Sequence, residues 1–240
     1  MISPAPIAVA LDAPDLATAS RWARAVTPHV STLKVGLELF CRYGPAAVEQ
    51  TRGDTGVRLF LDLKLHDIPN TVAGATRAVA KLRPDYLTVH AAGGPAMIAA
   101  AVDALPDCLI AGVTVLTSMS EEDISAVGFG SSSLDVARRL ADVAVAAGAR
   151  ALVCSPREVA AVRSVVGPDI VLITPGVRPA GGDPGDQSRV ATPRQAFADG
   201  ADLLVVGRPI TGADDPGAAA AALAAQLSAI EEKWPRSKIH

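Results

Sequence analysis

Residues 59–71 read Leu59-Phe60-Leu61-Asp62-Leu63-Lys64-Leu65-His66-Asp67-Ile68-Pro69-Asn70-Thr71. Strand side chains alternate faces, so Leu61, Leu63 and Leu65 point one way and Asp62, Lys64 and His66 the other. An exposed edge strand of a sandwich could carry such a polar face toward water. A buried structural ion pair could carry it inward, although buried charge is costly. The neighbouring strand candidates are almost wholly apolar, which favours a strand covered on both sides. In a closed barrel the outer face packs on helices, so the polar set must face the interior, near the C-terminal mouth where active sites sit.

Outward from this segment, short apolar runs alternate with longer helical patterns. The strand candidates are Ile7–Asp12, Thr32–Leu39, Val57–Lys64, Tyr86–His90, Leu109–Leu116, Ala151–Cys154, Ile170–Thr174 and Asp202–Val206. Helical patterns include Leu16–Val26, Thr71–Leu82, Ala96–Ala104, Leu134–Ala147, Arg157–Val166, Pro193–Ala198 and Pro216–Glu232. Thr192-Pro193 and Asp215-Pro216 each place a capping residue before a proline at the first helical position. Gly148 and Gly200 follow their helices as left-handed caps would. Eight βα units in 240 residues predict an α/β protein with a single (β/α)8 TIM barrel spanning 1–240. A doubly wound open sheet is the rival; it would normally carry a Gly-x-Gly-x-x-Gly turn after a strand, and none is present. No linker, low-complexity tract or further repeat interrupts the pattern. Gly181–Gln187 is the most loop-like stretch and reads as a mobile loop after the seventh strand.

The second strand repeats the anomaly: Lys34, Gly36 and Glu38 share one face of Thr32–Leu39. The chain has few lysines (Lys34, Lys64, Lys81, Lys233 and Lys238), yet two of them sit inside strand candidates. A strongly hydrated ammonium belongs on a surface unless something holds it. With Asp12 ending the first strand, Asp12, Lys34, Asp62, Lys64 and Asp67 are expected to converge as an alternating acid–base cluster. His66 reads equally as an orienting residue for Asp67 or Lys64. His90 reads first as a structural strand-end residue. Thr174-Pro175-Gly176-Val177-Arg178 and Val206-Gly207-Arg208 place Gly and Arg just after the seventh and eighth strands, the usual phosphate site of such barrels. Glycine lets backbone N–H groups approach an anion, and arginine offers a bidentate fork.

Half of the residues are hydrophobic, 20% are charged and the net charge is −3. That composition excludes disorder and argues against a nucleic-acid binder, which needs a basic excess. Cys41, Cys108 and Cys154 are odd in number and widely spaced, and they read as reduced core residues of a cytoplasmic protein. The start lacks a secretory n-region, and Pro216–Ile230 is too short to span a bilayer, so neither secretion nor a membrane role is expected.

The sequence resembles orotidine 5′-phosphate decarboxylase, the bacterial branch of that family, over essentially its whole length. The resemblance rests on Val9–Asp12, Lys34–Phe40, Asp62–Thr71, Val89–Gly94, Val115–Ser118, Thr174–Arg178, Gly185–Gln187 and Val206–Ile210. Related phosphate-binding barrels share Asp-x-Lys-x-x-Asp alone; the extended Asp62–Thr71 string with the other blocks is far more specific. The least family-determined stretch lies between Ser118 and Leu134. The resemblance implies a homodimeric barrel that converts orotidine 5′-monophosphate to UMP and CO₂ with no cofactor and no metal. By the same resemblance Lys34, Asp62, Lys64 and Asp67 form the catalytic network, with Asp67 and Thr71 contributed across the dimer interface. Substrate contacts would come from the ribose-side Asp12 and Lys34, the run Asp62, Leu63, Lys64, Leu65, His66, Asp67, Ile68, Pro69, Asn70 and Thr71, and the pyrimidine-side Thr117. Arg178, Gln187, Gly207 and Arg208 would hold the phosphate, with Gln187 on a closing loop. Two rivals stay open: a metal-dependent sugar-phosphate decarboxylase or synthase of the same barrel group, and a non-catalytic nucleotide-binding barrel.

Overall fold

The structure is a computed structural model that describes residues 4–53, 55–177 and 191–231. Eight parallel strands close into a barrel in sequence order: β1 (Ala5–Ala10), β2 (Val30–Gly36), β3 (Arg58–Leu65), β4 (Tyr86–His90), β5 (Leu109–Val113), β6 (Ala151–Val153), β7 (Val171–Thr174) and β8 (Leu203–Val206). All eight strand candidates are present, and the (β/α)8 expectation holds. The helices are α1 (Leu16–Val26), α2 (Leu37–Tyr43), α3 (Pro45–Arg52), α4 (Pro69–Val79), α5 (Pro95–Ala104), α6 (Glu121–Ala126), α7 (Ser133–Ala146), α8 (Val159–Val166), α9 (Pro193–Ala198), α10 (Arg208–Thr211) and α11 (Pro216–Glu231). No helix among the described residues is long and apolar enough to cross a membrane.

Alternation along each strand builds two apolar layers. Ala8, Phe60, Tyr86, Ala111, Ala151, Ile173 and Leu203 form a compact cluster inside the barrel. Three of these are alanines, so the two aromatic rings fill the space, packed edge to face with centroids 5.9 Å apart. Leu33, Val35, Leu59, Leu61, Leu87 and Val89 point the other way, into the cluster shared with the helices. Each such fully buried Leu or Val contributes about 1.5–3 kcal/mol.

The predicted caps are found. Thr192 accepts from the Gln195 amide at 3.2 Å, and Asp215 accepts from the Ala218 amide at 3.0 Å. Gly148 and Gly200 take φ of 95° and 106°, in the positive region where a Cβ is unfavourable.

Two expectations are corrected. β2 ends at Gly36, and Leu37–Leu39 open a helix instead of continuing the strand. Glu38 therefore leaves the interior face and pairs one turn on with Arg42 at 3.7 Å on the surface. Cys108 and Cys154 are buried, and burial pushes the Cys108 thiol up to about 12 and raises that of Cys154 as well. Cys41, however, lies on α2 and is exposed.

Two aspartates brace the N-terminal end of the barrel in the same way. Asp85, just before β4, accepts from the Leu59 amide at 2.7 Å and pairs with Arg52 at 3.6 Å. Asp202, just before β8, accepts from the Leu172 amide at 2.8 Å and pairs with Arg163, which also holds the Gly167, Ile170 and Gly200 carbonyls. Asp202→Ala would strip a partner from both groups. It is expected to cost about 2–4 kcal/mol, read as a melting-temperature drop of roughly 4–15 °C. An unchanged melting curve would show the clamp to be dispensable.

Candidate active site

β2 and β3 lie side by side with Lys34 beside Phe60 and Gly36 beside Asp62. This register places the two interior-facing charges next to each other, above the aromatic floor. Lys34 Nζ stands 3.3 Å from Asp62 Oδ2 and 3.4 Å from Asp12 Oδ1, and Lys64 Nζ stands 2.8 Å from Asp62 Oδ1. The result is an alternating chain, Asp12–Lys34–Asp62–Lys64. Its interior members are close to dry: the Lys34 and Asp62 side chains are 8% and 12% exposed. Lys64 and Asp12 face the opening at 28% and 49%.

Burial works against both inner charges, and their neighbours overcome it. Desolvation disfavours the Lys34 ammonium, yet the Asp62 and Asp12 carboxylates hold its pKa above the ordinary lysine value. Desolvation likewise disfavours ionised Asp62, yet Lys34, Lys64 and the hydrogen bonds from Lys64 and Thr88 hold it below the ordinary carboxylate value. Both stay charged at neutral pH. Gly36 makes room for this packing, because a Cβ there would meet Asp12 Oδ1 at 2.7 Å and Lys34 Nζ at 2.8 Å.

The backbone departs from simple alternation where the chemistry concentrates. Leu61 pairs with Leu87 and Leu65 with Val89, so β3 spends two more residues than β4 between the same two rungs. Lys64 takes φ of 47°, a conformation unusual for a residue with a side chain. Leu63 and Leu65 pack as partly buried residues on the apolar cluster shared with the helices, while His66 is exposed beyond the strand end. His66 thus does not face the interior as alternation suggested. Its ring lies 5.4 Å from that of His90, and burial, with His66 and Lys64 nearby, holds His90 below the usual histidine value.

A cavity of about 520 Å³ opens above the cluster at the C-terminal ends of the strands. Asp12, Lys34, Asp62 and Lys64 line one side; Thr117 and Ser118 follow β5; Gly176, Gly207 and Arg208 follow β7 and β8. An anion held by the glycine backbone and Arg208 would place the rest of its molecule against the charged chain. Arg178 and Gln187 lie outside the described residues.

The structure thus brings together Asp12, Lys34, Asp62, Lys64, Thr117, Gly207 and Arg208. It does not bring Asp67 to them within one chain. Asp67, Ile68, Pro69, Asn70 and Thr71 are exposed on the rim, and the Asp67 carboxylate accepts from the Ile68 amide at 2.6 Å. The sequence reading missed Thr88, whose hydroxyl donates to Asp62 Oδ1 at 3.0 Å and accepts from the Lys64 amide at 2.8 Å. It also missed the floor formed by Phe60. The available signal was a lone hydroxyl in the otherwise apolar middle of β4.

Comparison with known proteins agrees with this geometry. Residues 5–223 match the model of the orotidine 5′-phosphate decarboxylase / HUMPS family. The chain is 70% identical over 223 residues to orotidine 5′-phosphate decarboxylase of Thermobifida fusca (strain YX), covering 93% of this chain and 96% of that protein. It is 59% identical over 242 residues to orotidine 5′-phosphate decarboxylase of Frankia casuarinae, covering 94% and 88%. The crystal structure of orotidine 5′-phosphate decarboxylase from Lactobacillus acidophilus superposes with a TM-score of 0.81 at 34% identity, covering 93% of this chain and 99% of that one.

Proposed function

The chain belongs to the orotidine 5′-phosphate decarboxylase / HUMPS family, and we propose that it converts orotidine 5′-monophosphate to UMP and CO₂, the last step of UMP biosynthesis, without a cofactor or metal. The observation that carries this reading is the Asp62 carboxylate, held ionised between two ammonium groups at the floor of a cavity with an anion-binding end.

Loss of CO₂ breaks the bond between C6 and the carboxyl carbon and leaves the electron pair on C6. That carbanion has no obvious electron sink in the pyrimidine, so fixed charges must stabilise it. The Lys64 ammonium is suited to stand beside C6 and then donate the proton that replaces CO₂. Asp62 would lie next to the departing carboxylate. Two such charges at ~4 Å and an effective dielectric of ~20 repel by about 4 kcal/mol before the lysines screen them. Lys34 keeps Asp62 ionised, and with Asp12 it would contact the ribose; Thr117 would face the pyrimidine. Gly207 and Arg208, with Arg178 and Gln187, would bind the phosphate. Asp67 and Thr71 stand outside their own chain's cavity, and in a homodimer they would complete the site of the second copy. The family and the absence of a spanning helix among the described residues fit a cytoplasmic location.

A metal-dependent sugar-phosphate reaction fits the cluster less well, because a divalent cation on Asp62 would stand beside two ammonium groups. The test is loss of orotidine 5′-monophosphate absorbance by purified protein with and without EDTA. Turnover that survives EDTA supports the reading; turnover only of a keto-sugar phosphate with added Mg²⁺ would overturn it.

The phosphate end gives a further prediction. Arg208→Ala is expected to lower kcat/KM for the nucleotide about 10- to 100-fold, the worth of charge-assisted hydrogen bonds to one phosphate. Turnover of the corresponding nucleoside should hardly change. Phosphite should accelerate the wild-type protein on that nucleoside if phosphate binding helps assemble the site. No acceleration would detach phosphate binding from catalysis.

A further inference from the structure

We propose that Thr88 is the positioning residue that fixes Lys64 and Asp62 relative to each other, an inference that rests on the decarboxylase reading. Thr88 sits fully buried in β4, opposite the irregular rungs of β3. A parallel ladder would satisfy the Lys64 amide with a β4 carbonyl, but the two extra residues of β3 carry that amide out of register. The Thr88 hydroxyl takes the carbonyl's place, accepting from Lys64 N at 2.8 Å. The same oxygen carries one proton, which it donates to Asp62 Oδ1 at 3.0 Å. That carboxylate oxygen also receives Lys64 Nζ at 2.8 Å.

A small closed ring results: Lys64 backbone to Thr88, Thr88 to Asp62, Asp62 to the Lys64 ammonium. The ring ties the unusual backbone of Lys64, with φ of 47°, to the place where its ammonium is held. It also leaves the Thr88 hydroxyl a single acceptor for its proton, which fixes the rotation of the hydroxyl and the tilt of the carboxylate. Thr88 does not line the cavity, so it acts only through the two residues it orients. Without the hydroxyl, the Lys64 amide would lose its partner inside the barrel and relax toward ordinary strand geometry. The ammonium would shift, and displacement of about 1 Å at a reacting group lowers rates by up to about 100-fold.

The test compares Thr88→Val, which keeps shape and loses the hydroxyl, with Thr88→Ser, which keeps the hydroxyl. Thr88→Ala is measured in parallel so that the outcome does not hang on one folded variant. Expected for Val and Ala is a fall in kcat of about 10- to 100-fold, with KM and UMP affinity within about threefold of wild type. Ser should recover kcat to within about threefold of wild type. Wild-type kcat in Val and Ala, or an equal loss in Ser, would overturn the role of Thr88 while active wild-type protein leaves the decarboxylase reading standing. Wild-type protein inactive on orotidine 5′-monophosphate would overturn both.

Discussion

Replacing Lys64 with alanine is expected to lower kcat for orotidine 5′-monophosphate by at least about 10⁴-fold with the barrel still folded. On the proposed mechanism two effects would vanish together. One is the cation beside the developing C6 carbanion; the other is the proton that replaces CO₂. Proton transfer by a placed group alone is worth about 10²- to 10⁴-fold, and a charge aimed at a developing anion about as much again. The fold should tolerate the loss. The Lys64 side chain reaches into the cavity, outside both apolar clusters, and Asp62 keeps Lys34 at 3.3 Å and Thr88 at 3.0 Å, so no buried carboxylate is stranded. A cooperative melt near that of wild type should accompany the lost turnover. Wild-type-like kcat would remove Lys64 from the chemistry.

Asp62→Asn is expected to have the next largest effect, on activity and stability together. Asparagine keeps the shape but removes the charge that both lysines face. The ground-state repulsion would disappear and Lys64 would lose its anchor, so kcat should fall about 10²- to 10³-fold, the order of the ~4 kcal/mol repulsion, and KM should fall with it as the substrate carboxylate is no longer repelled. Lys34 would remain buried with Asp12 as its one acidic partner. Breaking a buried pair in this way costs about 3 kcal/mol or more, roughly 6–12 °C in melting temperature.

The pH dependence has a definite sign. Asp62 titrates below its ordinary value of 3.8 in the folded protein, so its stabilisation is present above that pH and is lost as the pH falls through the folded value. Lys34 titrates above its ordinary value of 10.5, so its contribution is present below that pH and is lost as the pH rises through the folded value. Asp62→Asn should therefore flatten the acid side of the stability profile and bring the alkaline loss to lower pH. An unchanged profile on both sides would contradict the coupling of Asp62 to Lys34.

The barrel and half of its site were legible because both depend on local periodicity. Apolar runs bounded by glycine, proline and aspartate marked all eight strands, and alternation placed Asp62 and Lys34 on the interior face. The same rule failed four residues beyond Asp62, at His66. Alternation assumes an unbroken ladder, whereas β3 is irregular between Leu61 and Leu65, and the hydroxyl that stabilises the irregularity comes from another strand. His66 was misplaced for that reason. Glu38 was misplaced because Leu37-Glu38-Leu39 satisfies a strand pattern and a helix pattern equally over so short a span. α3 escaped notice although Gly44-Pro45 marks its start, because Ala46, Ala47 and Val48 give too little contrast with the polar residues around them. Asp67 and Thr71 illustrate a different limit: spacing shows that a residue lies just past a strand's end, but not whether it lines the cavity there, and both stand exposed outside it.

On the proposed mechanism this chain decarboxylates orotidine 5′-monophosphate with Lys64 as proton donor and no metal. The most direct measurement follows substrate absorbance with wild-type and Lys64→Ala protein, each with and without EDTA. Wild type should consume the substrate fast and indifferently to EDTA, and the variant should be slower by at least about 10⁴-fold. Turnover abolished by EDTA, or retained in the variant, would contradict that mechanism.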